Sequence, residues 1–187
     1  MMRRRALRRR YVLPLLSAWS AARSRTSPGD PQKPLFDLNH AKERVAAAVE
    51  AARKLPFAFT LTARAENFLR GNPNLDDTIQ RLQAFESVGA DVLMAPGLPD
   101  LAAVRTVCTA LSRPFNFMAG VKGRSFPVAE LAGAGVKRIS LATSLYRAAM
   151  SGLVDAAREV KEQGTFGYVD TTMATPELNG YMGGTGR

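Results

Sequence analysis

The sequence predicts a parallel α/β fold, and three observations carry that expectation. From Leu35 onward, short runs of β-forming residues alternate with longer stretches whose apolar side chains recur at helical spacing. Turn residues such as Gly89 and Gly135 separate many of these runs. The runs are apolar at most positions rather than every second one, as in strands covered on both faces. Repeats of this kind, joined by right-handed crossovers, give a parallel sheet flanked by helices, either open and layered or part of a closed barrel.

Asp37 or Asn39 can cap a first helix over about 39–54, whose face is Val45, Ala48, Val49 and Ala52, with Pro56 after its end. Phe57–Ala63 follows as the first strand, too brief for a helix and rich in β-formers. Asp76 and Asp77 open a second helix through Ile79, Leu82, Phe85 and Val88, which stops at Gly89, and Ala90–Ala95 reads as the second strand. A helix over 99–111, with Leu101, Val104, Val107, Cys108 and Leu111, leads into strand Phe115–Met118. A short helix over 127–133 leads through Gly135 into strand Lys137–Leu141. The last helix, 143–163, carries Leu145, Ala148, Ala149, Leu153, Ala156 and Val160 on one face and ends at Gly164; a short polar tail is expected beyond it.

A chain of 187 residues accommodates one domain with a sizeable core. It is short for a complete eight-unit barrel, which typically takes about 250 residues. The net charge of +10 is unevenly placed: residues 1–34 contribute +8 and residues 35–187 only +2. The folded part therefore offers no bulk charge for nucleic acid, and no nucleic-acid partner is expected. Cys108 is the only cysteine, so neither an intramolecular disulfide nor a multi-cysteine metal site can form.

Residues 1–34 read as an Arg-rich, disordered extension and linker, with the folded domain over 35–187. Met1 to Ala22 imitates a basic leader followed by an apolar stretch, as in a targeting segment. Pro14 and Ser17 interrupt that stretch, which is far short of the ~20 residues of a membrane span. An over-extended reading frame from a GC-rich gene gives the same Arg, Ala, Ser and Pro bias and is the favoured reading. The cytoplasm is the expected location, with targeting by the leader as the alternative.

In parallel α/β folds ligands bind at the C-terminal ends of the strands. After the first strand stand Arg64 and Glu66: a guanidinium there can clamp a carboxylate or phosphonate, while Glu66 orients it or serves as acid or base. A purely structural ion pair is the competing reading. The loop after the second strand, Ala95–Asp100, is a stiff turn without chemistry, and Asp100 caps the next helix. The third strand delivers Asn116, whose amide can orient a substrate oxygen, and then a glycine-containing loop with Lys122 and Arg124, which hold an anion or are simply solvated. Thr143 or Ser144 opens the last helix and can donate to a ligand or cap the helix, capping being the favoured reading. His40 has no second histidine to form a pair, and Cys108 lies on an apolar stripe, so neither is a candidate.

The string Phe57–Leu69, containing Ala63-Arg64-Ala65-Glu66-Asn67, followed by Leu75-Asp76-Asp77-Thr78-Ile79 and Gly89-Ala90-Asp91-Val92-Leu93, resembles the isocitrate lyase/phosphoenolpyruvate mutase family. The resemblance continues through Pro114–Met118, Val128–Leu131 and Ser144–Ala149, covering about residues 35–165. It implies that the four strands are the fifth to eighth of a (β/α)8 barrel. It also implies an enzyme that makes or breaks C–C or C–P bonds of small 2-oxo or 2-hydroxy carboxylates, and a homo-oligomer formed through the C-terminal helix. The family's Arg and carboxylate after the fifth strand fall on Arg64 and Glu66, and its seventh-strand Asn on Asn116. The family uses Mg²⁺ to stabilise an enolate, yet this sequence has neither an Asp-x-Asp strand for the metal nor a Lys-Lys-Cys-Gly-His loop. The expectation is therefore a partial barrel, inactive alone. The alternatives are a non-catalytic half-barrel that assembles with itself or a partner, and an anion-binding module.

Overall fold

Three residues of the segment read as linker, Arg23–Arg25, form the first strand (β1) of a five-stranded sheet. The structure is a computed structural model and describes residues 23–25 and 34–183. Helix α1 spans Leu38–Arg53, β2 Thr62–Arg64, α2 Leu75–Ser87, β3 Val92–Met94, α3 Leu101–Ala110, β4 Phe115–Met118, α4 Val128–Gly133, β5 Arg138–Ser140, α5 Ser144–Gln163 and α6 Thr175–Met182. Among the described strands the order is β1-β2-β3-β4-β5 and every pairing is parallel. The parallel βα order is the one the alternation from Leu35 onward predicts, and the partial (β/α)8 barrel is the one the family resemblance implies.

The sheet begins before the boundary expected at Leu35: Arg23 pairs with Thr62 and Arg25 with Arg64. A strand of Arg-Ser-Arg has no β-signal of its own, and only pairing along β2 defines it. The remaining expectations for 1–34, disorder and a leader from Met1 to Ala22, lie outside the described residues.

Local chemistry sets most helix ends. Asp37 accepts a hydrogen bond from His40 N (2.9 Å) and Asp100 from Ala103 N (2.7 Å), so both cap as expected. The second helix starts earlier than Asp76, because Asn74 accepts from Asp77 N (2.9 Å); Asp76 and Asp77 then sit in the first turn, where the helix dipole favours negative charge. Strand β2, expected over Phe57–Ala63, is shorter and later. Phe57 is exposed and Phe57–Phe59 lie outside the ladder, since β-propensity there is not matched by a neighbouring strand.

Strand alternation sorts side chains between two faces. Ala63, Leu93, Phe115, Phe117 and Ile139 share one face and join Val45, Leu82, Phe85, Val104, Val107 and Leu131 of the helices in the core. Thr62, Arg64, Val92, Met94, Asn116, Met118, Arg138 and Ser140 share the other, so the polar side chains of the sheet are gathered on the face away from the helices. At the opposite end of the strands from the loops that carry these groups, Asp91 ties α1 to the sheet. It accepts from Arg53 Nη2 (2.6 Å) and from Leu61 N (2.8 Å).

Gly135 turns the chain from α4 into β5 at φ +102°, and a Cβ there would stand 2.9 Å from Cys108 Cβ. Gly135→Ala therefore combines a conformation unfavourable to L-residues with a backbone-side clash, and is expected to cost about 2–3 kcal/mol, read as a lowered urea midpoint at unchanged m-value.

The chain divides into two units, Met1–Ala142 and Thr143–Arg187. In the second unit α5 ends at Gly164 in the left-handed conformation, as expected. The Glu159 carboxylate then accepts from Thr165 Oγ1, Gly167 N and Tyr168 N, bonds that hold its pKa below the usual range. One expectation here is narrowed and another fails. Thr143 stands at the N-cap of α5 but makes no side-chain cap bond. The tail is neither short of structure nor polar: a 3-10 turn at Gly167–Thr171 and helix α6 follow, with Phe166, Val169, Leu178 and Tyr181 exposed.

Candidate functional site

Arg64 ends β2, and the chain then leaves the sheet through Ala65, whose N–H still donates to Met94 O (2.9 Å). Glu66 begins a 3-10 turn, Asn67–Leu69: its carbonyl accepts from Leu69 N (3.0 Å) and Arg70 N (3.1 Å). That turn brings residue 70 back over residue 66. The Glu66 carboxylate, 0% exposed, consequently lies between two guanidinia. Arg64 Nη2 stands 2.9 Å from Oε1 as an ion pair outside hydrogen-bond geometry, and Arg70 Nε donates to Oε2 at 2.8 Å. A buried carboxylate with one guanidinium per oxygen is electrostatically secure, and the surplus charge of the trio is positive.

The turn is anchored from below. Asn67 Nδ2 donates to Asp77 Oδ2 (2.6 Å), which also accepts from buried Arg81 Nε (2.7 Å), and Arg81 Nη1 donates to Phe36 O (2.8 Å). This chain of bonds fixes the backbone that carries Glu66 to α2 and to the segment entering α1.

Asn116 lies on the same sheet face as Arg64, in register through Met94. Its Nδ2 donates to Ser140 Oγ (3.0 Å) on β5. Its Oδ1 and the Thr62 Oγ1 are buried without a hydrogen-bond partner, although such groups are nearly always satisfied in folded proteins. Unmatched polar atoms on the face that carries Arg64 are what a ligand-binding surface leaves open.

The loops after β2, β3 and β4 meet at Gly97. A Cβ placed there would lie 3.2 Å from Leu69 Cδ2, 3.3 Å from Phe68 Cβ and 3.7 Å from Arg124 Nη1, so only glycine allows this approach. Arg124 Nη1 donates to Gly97 O (2.7 Å) and clasps the β3 and β4 loops together.

Of the residues singled out in the sequence, the structure brings Arg64 and Glu66 into contact and sets Asn116 on the same face. Lys122 is exposed on the loop after β4, with no ion pair or hydrogen bond among the described residues, and Arg124 is the anchored cation of that loop. Sequence reasoning missed Arg70 and Ser140. The i+4 spacing of Glu66 and Arg70 was visible, but it makes a contact only on a helical turn that the sequence did not signal, and Ser140 follows from strand parity only once β4 and β5 are paired. Cys108 is half-buried, and burial pushes its thiol up to about 11, which keeps it protonated and unreactive at neutral pH.

The Mg²⁺ implied by the family resemblance does not fit the side chains present. Among the described residues no group of three or more His, Cys, Asp or Glu could hold a metal ion, and the Glu66 carboxylate is engaged by two arginines. No described helix is long and apolar enough to cross a membrane.

A partial parallel βα barrel whose strand ends carry an arginine-flanked carboxylate defines an α/β-barrel protein with a cationic cluster at its strand ends. The chain belongs to the phosphoenolpyruvate phosphomutase family, whose model matches residues 23–161. It is similar to a protein of Burkholderia cenocepacia J2315 described as a lyase/mutase, at 40% identity and a TM-score of 0.84, over 89% of this chain and 60% of that one. It is also similar to a protein of the same organism described as a phosphonomutase, at 30% identity and a TM-score of 0.66, over 75% of this chain and 59% of that one. At the level of fold it matches 2,3-dimethylmalate lyase, a member of the phosphoenolpyruvate mutase/isocitrate lyase superfamily, with 23% identity and a TM-score of 0.71, over 84% of this chain and 55% of that one. The chain thus spans between half and two thirds of the length of these relatives. Among curated proteins, none matches.

Proposed function

We propose that this chain carries the oxyanion-binding half of a lyase or phosphonomutase site, one that in intact form makes or breaks C–C or C–P bonds of small 2-oxo or 2-hydroxy carboxylates with Mg²⁺. The observation that carries this reading is the buried Glu66 carboxylate held between Arg64 and Arg70 at the strand ends, with Arg64 on the sheet face of Asn116. Arg64 and Asn116 bind the anionic end of the substrate, and Lys122, exposed on the loop after β4, is a further candidate for the same charge. Glu66 orients Arg64. It is also the candidate catalytic carboxylate. No step is routed through a metal, because its donor set is missing among the described residues, and the chain alone is expected to be inactive.

Calorimetry of the full chain with malonate tests the binding. Arg64→Gln is expected to weaken malonate by about 10-fold or more, the loss of a charge-assisted pair. An unchanged affinity would remove Arg64 from the site. Turnover of a 2-hydroxy dicarboxylate by the chain with Mg²⁺ would overturn its inactivity.

The second unit supports a homo-oligomer. No residue of α5 is buried, and Leu145 and Leu153 on its apolar face are 67% and 60% exposed. A cytoplasmic location accompanies this reading. The anion-binding module without turnover is the second reading, favoured by the missing metal ligands; malonate affinity independent of Mg²⁺ supports it.

A further inference from the structure

We infer that Arg70 is a further ligand-binding residue of the site, taking the second acid group of a dianion whose first group lies against Arg64. The inference rests on the oxyanion reading above and adds to it a residue that discriminates between ligands.

One guanidinium suffices to balance the Glu66 carboxylate, yet two are bound to it. Arg70 holds on through Nε alone. Its terminal nitrogens have no ion pair or hydrogen bond among the described residues, and its side chain is 37% exposed. With Nε committed, the paired Nη1 and Nη2 edge is what remains, and that edge matches the two oxygens of a carboxylate.

Arg70 is not a freely moving surface cation. Its own N–H bonds to Glu66 O and Asn67 O, and Asn72 N closes on Asn67 O (3.0 Å), so the 3-10 turn fixes the start of the side chain. The Nε bond to a fully buried carboxylate fixes its far end. A donor held at both ends loses little freedom on binding, which is the condition for specificity rather than loose attraction.

The charge of the surroundings agrees. The end of β2 and the loops after β2, β3 and β4 carry Arg64, Arg70, Lys122 and Arg124 against Glu66 and Asp100, a surplus of two positive charges. Asp100 is occupied at the start of α3. A dianion balances this surplus, whereas a monoanion leaves half of it.

The test is calorimetry on the full 187-residue chain with malonate and pyruvate, which are similar in size but carry two and one acid groups. The unmodified chain is expected to bind malonate about 10-fold more tightly than pyruvate. Arg70→Gln should abolish that preference while leaving pyruvate within about 2-fold, and Arg70→Lys should keep part of it, having the charge without the fork. Preference retained in Arg70→Gln, or absent from the unmodified chain, overturns the inference. Should Arg70→Gln lose its far-UV circular dichroism, Arg70→Lys decides, a preference equal to that of the unmodified chain being the overturning result. If the unmodified chain binds neither anion, the oxyanion reading itself falls. If Arg64→Gln abolishes binding while Arg70→Gln keeps the preference, only the role of Arg70 falls.

Discussion

Phe85→Ala is expected to destabilise the first unit by about 3–5 kcal/mol, the range for removing a large aromatic side chain from a packed core. Phe85 is 0% exposed on α2, in the cluster that includes Val45 of α1, Leu93 of β3 and Val107 of α3. Its ring fills the space between helices and sheet, and alanine leaves a cavity that neighbours fixed by the Asn74 and Asp100 caps cannot easily close. Domains of this size commonly have only about 5–15 kcal/mol in hand, so most of the stability goes. Urea denaturation followed by circular dichroism checks it: the midpoint falls steeply at an unchanged slope. A midpoint close to that of the unmodified chain would mean that the layer between α2 and the sheet is not packed as described.

Glu66→Gln is the second large effect, expected at about 3–4 kcal/mol, for the opposite physical reason. Gln preserves shape and volume but removes the negative charge, leaving two guanidinia facing a neutral amide that is 0% exposed. The penalty lies in the charge of Arg64, only 14% exposed, losing its carboxylate counter-charge, more than in any lost hydrogen bond. Arg70 can turn to solvent, which keeps the cost at the lower end of the range for broken buried pairs. Raising malonate to saturating concentration should return part of this stability, because an anion between the arginines replaces the missing charge. A variant as stable as the unmodified chain, or one that malonate does not restore, would count against an electrostatic role for Glu66.

The contrast between these substitutions separates two kinds of legibility. Phe85 was readable from helical spacing alone, and so was its burial. Arg64, Glu66 and Asn116 were readable as polar residues at strand ends, where a parallel sheet presents its ligands. The trio itself was not readable, because its geometry depends on the 3-10 turn that folds Arg70 back onto Glu66. Asn116 shows the same limit: its position on β4 was expected, but its bond to Ser140 required β5 to be in register.

By itself the sequence determined the parallel βα order, strand Phe115–Met118, the Asp37 and Asp100 caps and the end of α5 at Gly164, together with the family. These are local events, settled within one or two turns by spacing, capping and backbone freedom. Only the tertiary structure decided that Arg23–Arg25 joins the sheet, that Phe57–Phe59 stays out of it, that Arg70 joins Glu66, and that the tail continues as α6. Each of these depends on a partner distant in sequence or on a turn's exact path, and pairing energy of that kind is not written in the propensity of the residues that receive it.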